Sequence, residues 1–188
     1  MASRGPWPGA EEPSVLIDAV AKTAFVPLLR AAGFGRSART WRRRPNQRLT
    51  QVLNLQASPW NAIARDYVEK TRAAFTVNLG LHVNGVDELI GWTVKQRPPL
   101  QNECHVQLRI GNLLDGSDFW WEMSSETDVP TVAEVVGGML RDVVLPWFDK
   151  YSSLAAVREW FDDPPPQALV LAGVPAALDA LRDRDGDH

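Results

Sequence analysis

Residues 75–83 read Phe-Thr-Val-Asn-Leu-Gly-Leu-His-Val. Phe75, Val77, Leu79 and Leu81 alternate with Thr76, Asn78, Gly80 and His82. A strand imposes this period of two, because successive side chains point to opposite faces. One apolar face and one polar face mark an antiparallel sheet covered on a single side. The pattern predicts a strand over 72–83.

Working outward, the spacing predicts four more strands. Residues 40–44, around Trp41, and 49–56 flank the turn Pro45-Asn46-Gln47 and read as a hairpin. In the second arm Leu49, Leu53 and Leu55 share one face, and Asn54 and Gln56 the other. Residues 103–110 follow, with Cys104, Val106, Leu108 and Ile110 on the apolar parity and His105, Gln107 and Arg109 on the polar one. A turn with Asp115-Gly116 leads to a short aromatic strand at 119–123. The segments 57–71 and 84–102, the latter with Trp92 and Pro98-Pro99, read as connections.

Helices bracket the strands. Ser14 is placed to cap a helix carrying Ile17, Val20, Ala21, Ala24 and Leu28, with Pro27 kinking it and Gly33 ending it. Val132, Val135, Val136, Met139, Leu140, Val143, Val144 and Trp147 recur at helical spacing and predict a long helix on the sheet's apolar face. Gly137-Gly138 within it implies close packing on the sheet, and Pro146 is expected to end it. Helices starting after Ser153 and over 175–181 complete an α+β domain. The expectation is an antiparallel sheet of about five strands, with an N-terminal helix and two or three C-terminal helices on one face. Residues 1–13 read as a flexible tail, 14–162 as a single domain, and 163–188 as a Pro-rich linker, short helix and mobile tail.

Composition narrows the functional classes. With 45% apolar and 23% charged residues among 188, the chain has the material for a core. Cys104 is the lone cysteine, so internal disulfides and Cys-based zinc motifs are excluded. Residues 1–13 lack the apolar run of a signal peptide, and no stretch approaches the roughly 18 apolar residues of a membrane span. A cytoplasmic location and no membrane partner are expected. Net charge is −3. It divides unevenly: residues 1–119 hold 15 Lys+Arg and 10 Asp+Glu, whereas 120–188 hold 5 and 13.

Three places offer recognition chemistry. The polar sheet face gathers Gln56, Asn78, His82, His105 and Arg109, whose amides, imidazoles and guanidinium suit a polar ligand or an acidic side chain. The plainer reading is a solvated or loop-covered face. Trp120-Trp121 must put one ring on each side of its strand, and Trp121 is taken as the ring that joins the binding surface. The third place is the basic patch of Trp41, Arg42, Arg43 and Arg44, which could track phosphates while the indole stacks on a base. Its plainer reading is an edge hairpin kept soluble by charge. The mildly acidic chain makes nucleic acid the less expected partner. No HExxH or carboxylate cluster joins His82, His105, Asp115, Asp118 or His188, and no metal or cofactor is expected. No GxSxG motif or other catalytic constellation is present, and Cys104 lies on the apolar parity.

Five segments together resemble a known family: PLLRAAGFGRSARTWRR at 27–43, VLNLQAS at 52–58, FTVNLGLHV at 75–83, CHVQLRIGNLLDGSDFWWEM at 104–123 and VLPWFDKYSSLAAV at 144–157. In this order they are similar to the bacterial domain of unknown function 4304. The resemblance implies a soluble bacterial protein and supplies no catalytic residues. Gln56, Asn78 and Arg109 lie within or beside the resembling segments. The expected function is a small binding or protein-interaction module, in the manner of immunity proteins. An enzyme or small-ligand binder using the polar face, and a nucleic-acid binder using the arginine hairpin, are the alternatives.

Overall fold

Strand β4, Thr71–Val83, is the axis of the computed structural model, which describes residues 13–59, 71–124, 128–165 and 168–185. Strand β1 is Gly35–Ser37, β2 Thr40–Arg43 and β3 Leu49–Ala57. These three pair antiparallel in sequence order, and β3 runs along one side of β4 from Leu49 opposite Val83 to Ala57 opposite Phe75. The other side of β4 is shared end to end by β5, Val106–Arg109, and β6, Trp121–Ser124. A last strand, β7, Leu169–Val170, pairs with β5. The sheet is therefore antiparallel throughout, with two short strands beyond the five expected.

The alternation in 75–83 sorts side chains as expected. Phe75, Val77, Leu79, Leu81 and Val83 join the core with Leu49, Leu53, Leu55, Val106 and Leu108. Two helices cover this face. The first, α1, comprises Pro13–Val20, a π turn Ala21–Phe25 and Val26–Ala31. After a short helix α2, Val86–Leu89, and another, α3, Ile110–Leu114, comes the long helix α4. It comprises Val129–Met139, a π turn Leu140–Val144 and Leu145–Lys150. In both long helices a proline, Pro27 or Pro146, sits two residues after the π turn. Proline lacks the N–H that the preceding turn would accept, and a widened turn is one way to accommodate this without ending the helix. Contrary to the expectation from sequence, Pro146 does not end α4, and the helix continues to Lys150. Gly137 packs against Ala24 and Leu28 of α1 rather than against the sheet.

Helices α5, Leu154–Trp160, and α6, Val174–Asp185, close the described chain. The segment read as linker and tail contributes to the fold: β7 extends the sheet, and Val174, Leu178 and Leu181 of α6 are buried. Trp60 and the connection around it lie outside the described residues. No described helix is long and apolar enough to cross a membrane.

Candidate functional site

Two excursions leave the same edge of β4. The first, residues 84–105, joins β4 to β5, and the second, 110–120, joins β5 to β6. Arg109 stands opposite Asn78. A continuous strand would then bring residue 112 opposite Phe75, but Trp121 occupies that place. β5 and β6 are in effect one strand broken by the second excursion. Gly111 makes the break possible: a Cβ there would lie 2.1 Å from Ser117 O and 2.8 Å from Phe119 N. Thr76 Oγ1 donates to Phe119 O at 2.8 Å, anchoring the returning chain.

This excursion builds a wall beside the polar face. The cleft, about 400 Å³, is lined by Gln56, Asn78, Gln107 and Arg109 from the strands, Gln101 from the first excursion, and Asn112, Ser117 and Asp118 from the second. Asn78 Nδ2 donates to Gln56 Oε1 at 2.7 Å, which fixes both amides. Arg109 bonds Asp118 at 2.5 Å and lies over the Trp120 ring at 5.1 Å. The guanidinium holds the Asp118 carboxyl below its usual range. The result is a nearly neutral cleft of preset amides with one oriented guanidinium.

The two histidines are separated from this cleft. His82 and His105 stack at 4.7 Å near the far end of β4. Asp87, at the start of α2, sits between them: Oδ1 is 2.9 Å from His105 Nε2 and Oδ2 3.2 Å from His82 Nε2. Three metal-ligating groups thus converge here, a cluster that was not expected. Their hydrogen bonds identify it as a clamp. The Val83 backbone N–H donates to His105 Nδ1 at 3.0 Å, so Nδ1 carries the lone pair and Nε2 the proton. A metal on Nε2 would need the opposite tautomer and would set two donors face to face. His82 Nδ1 is buried with no hydrogen-bond partner, where a metal ligand ordinarily donates its second N–H to an acceptor. His105 is fully buried, and desolvation, aided by His82, pushes its pKa down to about 4.

Beside the clamp lies a second cleft of about 550 Å³, formed largely by the first excursion. The Trp92 ring, 41% exposed, rests against His105 at 5.9 Å. Lys95 and Arg97 both pair with Glu103, whose pKa is pushed down to about 2, chiefly by Arg97. Arg44 also lines this cleft.

The other expected residues are placed differently. Trp121 is in the core, stacked on Phe75 at 5.3 Å, and Trp120 is the ring beside Arg109. Trp41 is 1% exposed and stacked on Phe25, so it is no platform for a base. Arg42 donates to Pro99 O, and Arg43 to Gln51, Ala32 O and Asp149. The hairpin arginines therefore tie β2 to its neighbours, and Arg44 alone of the patch stays exposed. Cys104 precedes β5 instead of belonging to it, so the strand parity does not reach it. It lies over Gly80 on the polar face, sealed beneath Gln101, and burial raises its thiol pKa.

Asp87, Trp92, Gln101, Asn112, Ser117 and Trp120 were missed as site residues. All lie in the excursions or next to them, where no period reports which way a side chain faces. No curated protein and no solved structure matches the chain. The family model for the domain of unknown function (DUF4304) matches residues 25–150, from the middle of α1 to the end of α4, and the chain therefore belongs to that family.

Proposed function

We propose that this is a binding module whose recognition surface is the amide cleft over β3, β4 and β5, walled by the 110–120 excursion. The carrying observation is the convergence of Gln56, Asn78, Gln107 and Arg109, from three neighbouring strands, onto one open cleft with a built wall. Small-molecule pockets are mostly apolar and enclosed. This cleft is polar and open, with Leu108 and Leu169 as its apolar lining residues, and it suits a polar side chain presented by a protein partner. The remaining donors of Arg109 are positioned for a carboxylate or amide. The module is read as a bacterial, cytoplasmic one of the immunity-protein kind, and its one cysteine, buried, suits a reducing compartment. Nucleic acid is a poor fit to the arginine hairpin, since Arg42 and Arg43 are engaged and Trp41 is buried.

The test is affinity capture with the full chain from its native host, repeated with Gln56→Ala and Arg109→Ala. Each variant should keep its unfolding transition and lose the partner that the wild type retains. Undiminished capture by both, or turnover of a small molecule with no partner recovered, refutes the reading.

A further inference from the structure

The sequence suggested a base-stacking indole beside arginines at Trp41. That chemistry occurs at a different place, around Trp92. The Trp92 indole is 41% exposed. It is backed by the His105 ring, which is itself held by Asp87 and by the Val83 N–H. A fully buried, doubly bonded imidazole makes a rigid support. The clamp therefore fixes an aromatic plate at the wall of the second cleft.

Three cations line the cleft. Glu103 is shared by Lys95 and Arg97, so one carboxylate answers two cations. Arg44 lines the same cleft and has no hydrogen bond or ion pair among the described residues. Arg42 reaches Pro99 O from the adjacent strand, and burial together with Arg97 lowers its pKa. The acidic groups Asp87 and Glu88 lie toward α2. Next to them His82 Nε2 bonds Asp87 Oδ2, and His82 Nδ1 is buried without a partner. The lining thus combines cations, an aromatic wall and carboxylates.

We propose that this second cleft binds a nucleoside phosphate, with the phosphate at Arg44, Lys95 and Arg97, the base against Trp92, and a base amino group toward the acidic Asp87–Glu88 lining. The ligand complements each part in turn: charge for charge, ring for ring, donor for acceptor. A free nucleotide and the end of a single-stranded nucleic acid share this chemistry.

The test is isothermal titration calorimetry on the full chain at low salt. The probes are AMP, GMP, CMP and UMP, with adenosine, inorganic phosphate and a short oligoadenylate alongside. At least one mononucleotide should bind about tenfold more tightly than adenosine or phosphate alone, and its affinity should fall as salt rises. Trp92→Ala should weaken it about tenfold or more without changing the unfolding midpoint, and Trp92→Phe should restore most of the loss. Arg109→Ala, in the other cleft, should leave it unchanged. Tighter binding of the oligoadenylate sustains the proposal and makes nucleic acid the source. Three results overturn it: no heat from any nucleotide into the millimolar range, full affinity in Trp92→Ala, or loss of affinity in Arg109→Ala.

Discussion

Replacing Asp87 separates a hydrogen-bonded clamp from every other reading of the His82–Asp87–His105 cluster. Asp87→Ala removes the acceptor of two imidazole N–H groups. His105 has no exposed surface, so its Nε2–H would be left buried and unpaired. A buried donor abandoned in this way costs about 1–3 kcal/mol. The His82 bond, longer at 3.2 Å and on a side chain 12% exposed, adds about 1 kcal/mol. The expected loss is about 3 kcal/mol, a large share of the roughly 5–15 kcal/mol that holds a domain together. Asp87→Asn should be far milder. Its amide oxygen still accepts from His105, whose tautomer Val83 N–H dictates. Its NH2 would face His82, which can give up its Nε2 proton because Nδ1 has no partner to lose. The asparagine variant should therefore lose only about 1 kcal/mol. Urea unfolding of the three proteins measures the differences, and long-range nitrogen–proton NMR reads the tautomers. Equal losses in both variants, or a proton on His105 Nδ1, would refute the reasoning.

The same residue should make stability depend on pH. The folded pKa of His105, about 4, lies below its ordinary 6.5, so the unfolded chain binds the extra proton between these values. Its contribution is complete above pH 6.5 and is lost as pH falls toward 4, on the order of 3 kcal/mol in all. A His105→Gln variant should flatten that part of a stability–pH curve. Gly111→Ala should cost about 3 kcal/mol, because the new Cβ meets backbone of Ser117 and Phe119 and no side chain can yield. Its near-ultraviolet circular dichroism should change as Trp120 moves. Trp41→Ala should cost about 3–5 kcal/mol in chemical denaturation, where an exposed stacking platform would cost almost nothing. The Cys104 thiol, buried and with its pKa raised, should react with a thiol reagent only after unfolding.

The sheet and its helical cover were legible because both rest on repeated patterns. Phe75 to Val83 alternates for long enough that only one register buries it, and most of the Val132–Trp147 stripe faces the core, Val135 being the exception at 50% exposed. Single positions without a period were not legible. Trp120-Trp121 leaves the parity open, since a slip of one residue exchanges the two rings. The β6 register puts Trp121 opposite Phe75 and so chooses between them. Cys104 was assigned by extending a strand two residues too far. Asp87 belongs to a short helix inside a connection, and nothing local indicates that it closes on histidines from two other segments. Trp41 and its arginines had the composition of a nucleic-acid patch. Composition does not report that Phe25 of α1 covers the indole.

Both clefts arise from one cause, the interrupted edge of β4. Where its partner strand breaks, side chains replace the missing ladder. Thr76 reaches Phe119 O, and the Val83 N–H turns to His105 Nδ1. Each substitution fixes a side chain at a depth where backbone would otherwise run, and each leaves room beside it. Buried backbone groups must find partners, so the chain cannot leave this edge without bringing polar side chains to it. The polar face identified by alternation is therefore only the floor. The excursions decide which of its residues are gathered, and they place Gln56, Asn78 and Arg109 in one cleft and His82 and His105 behind another.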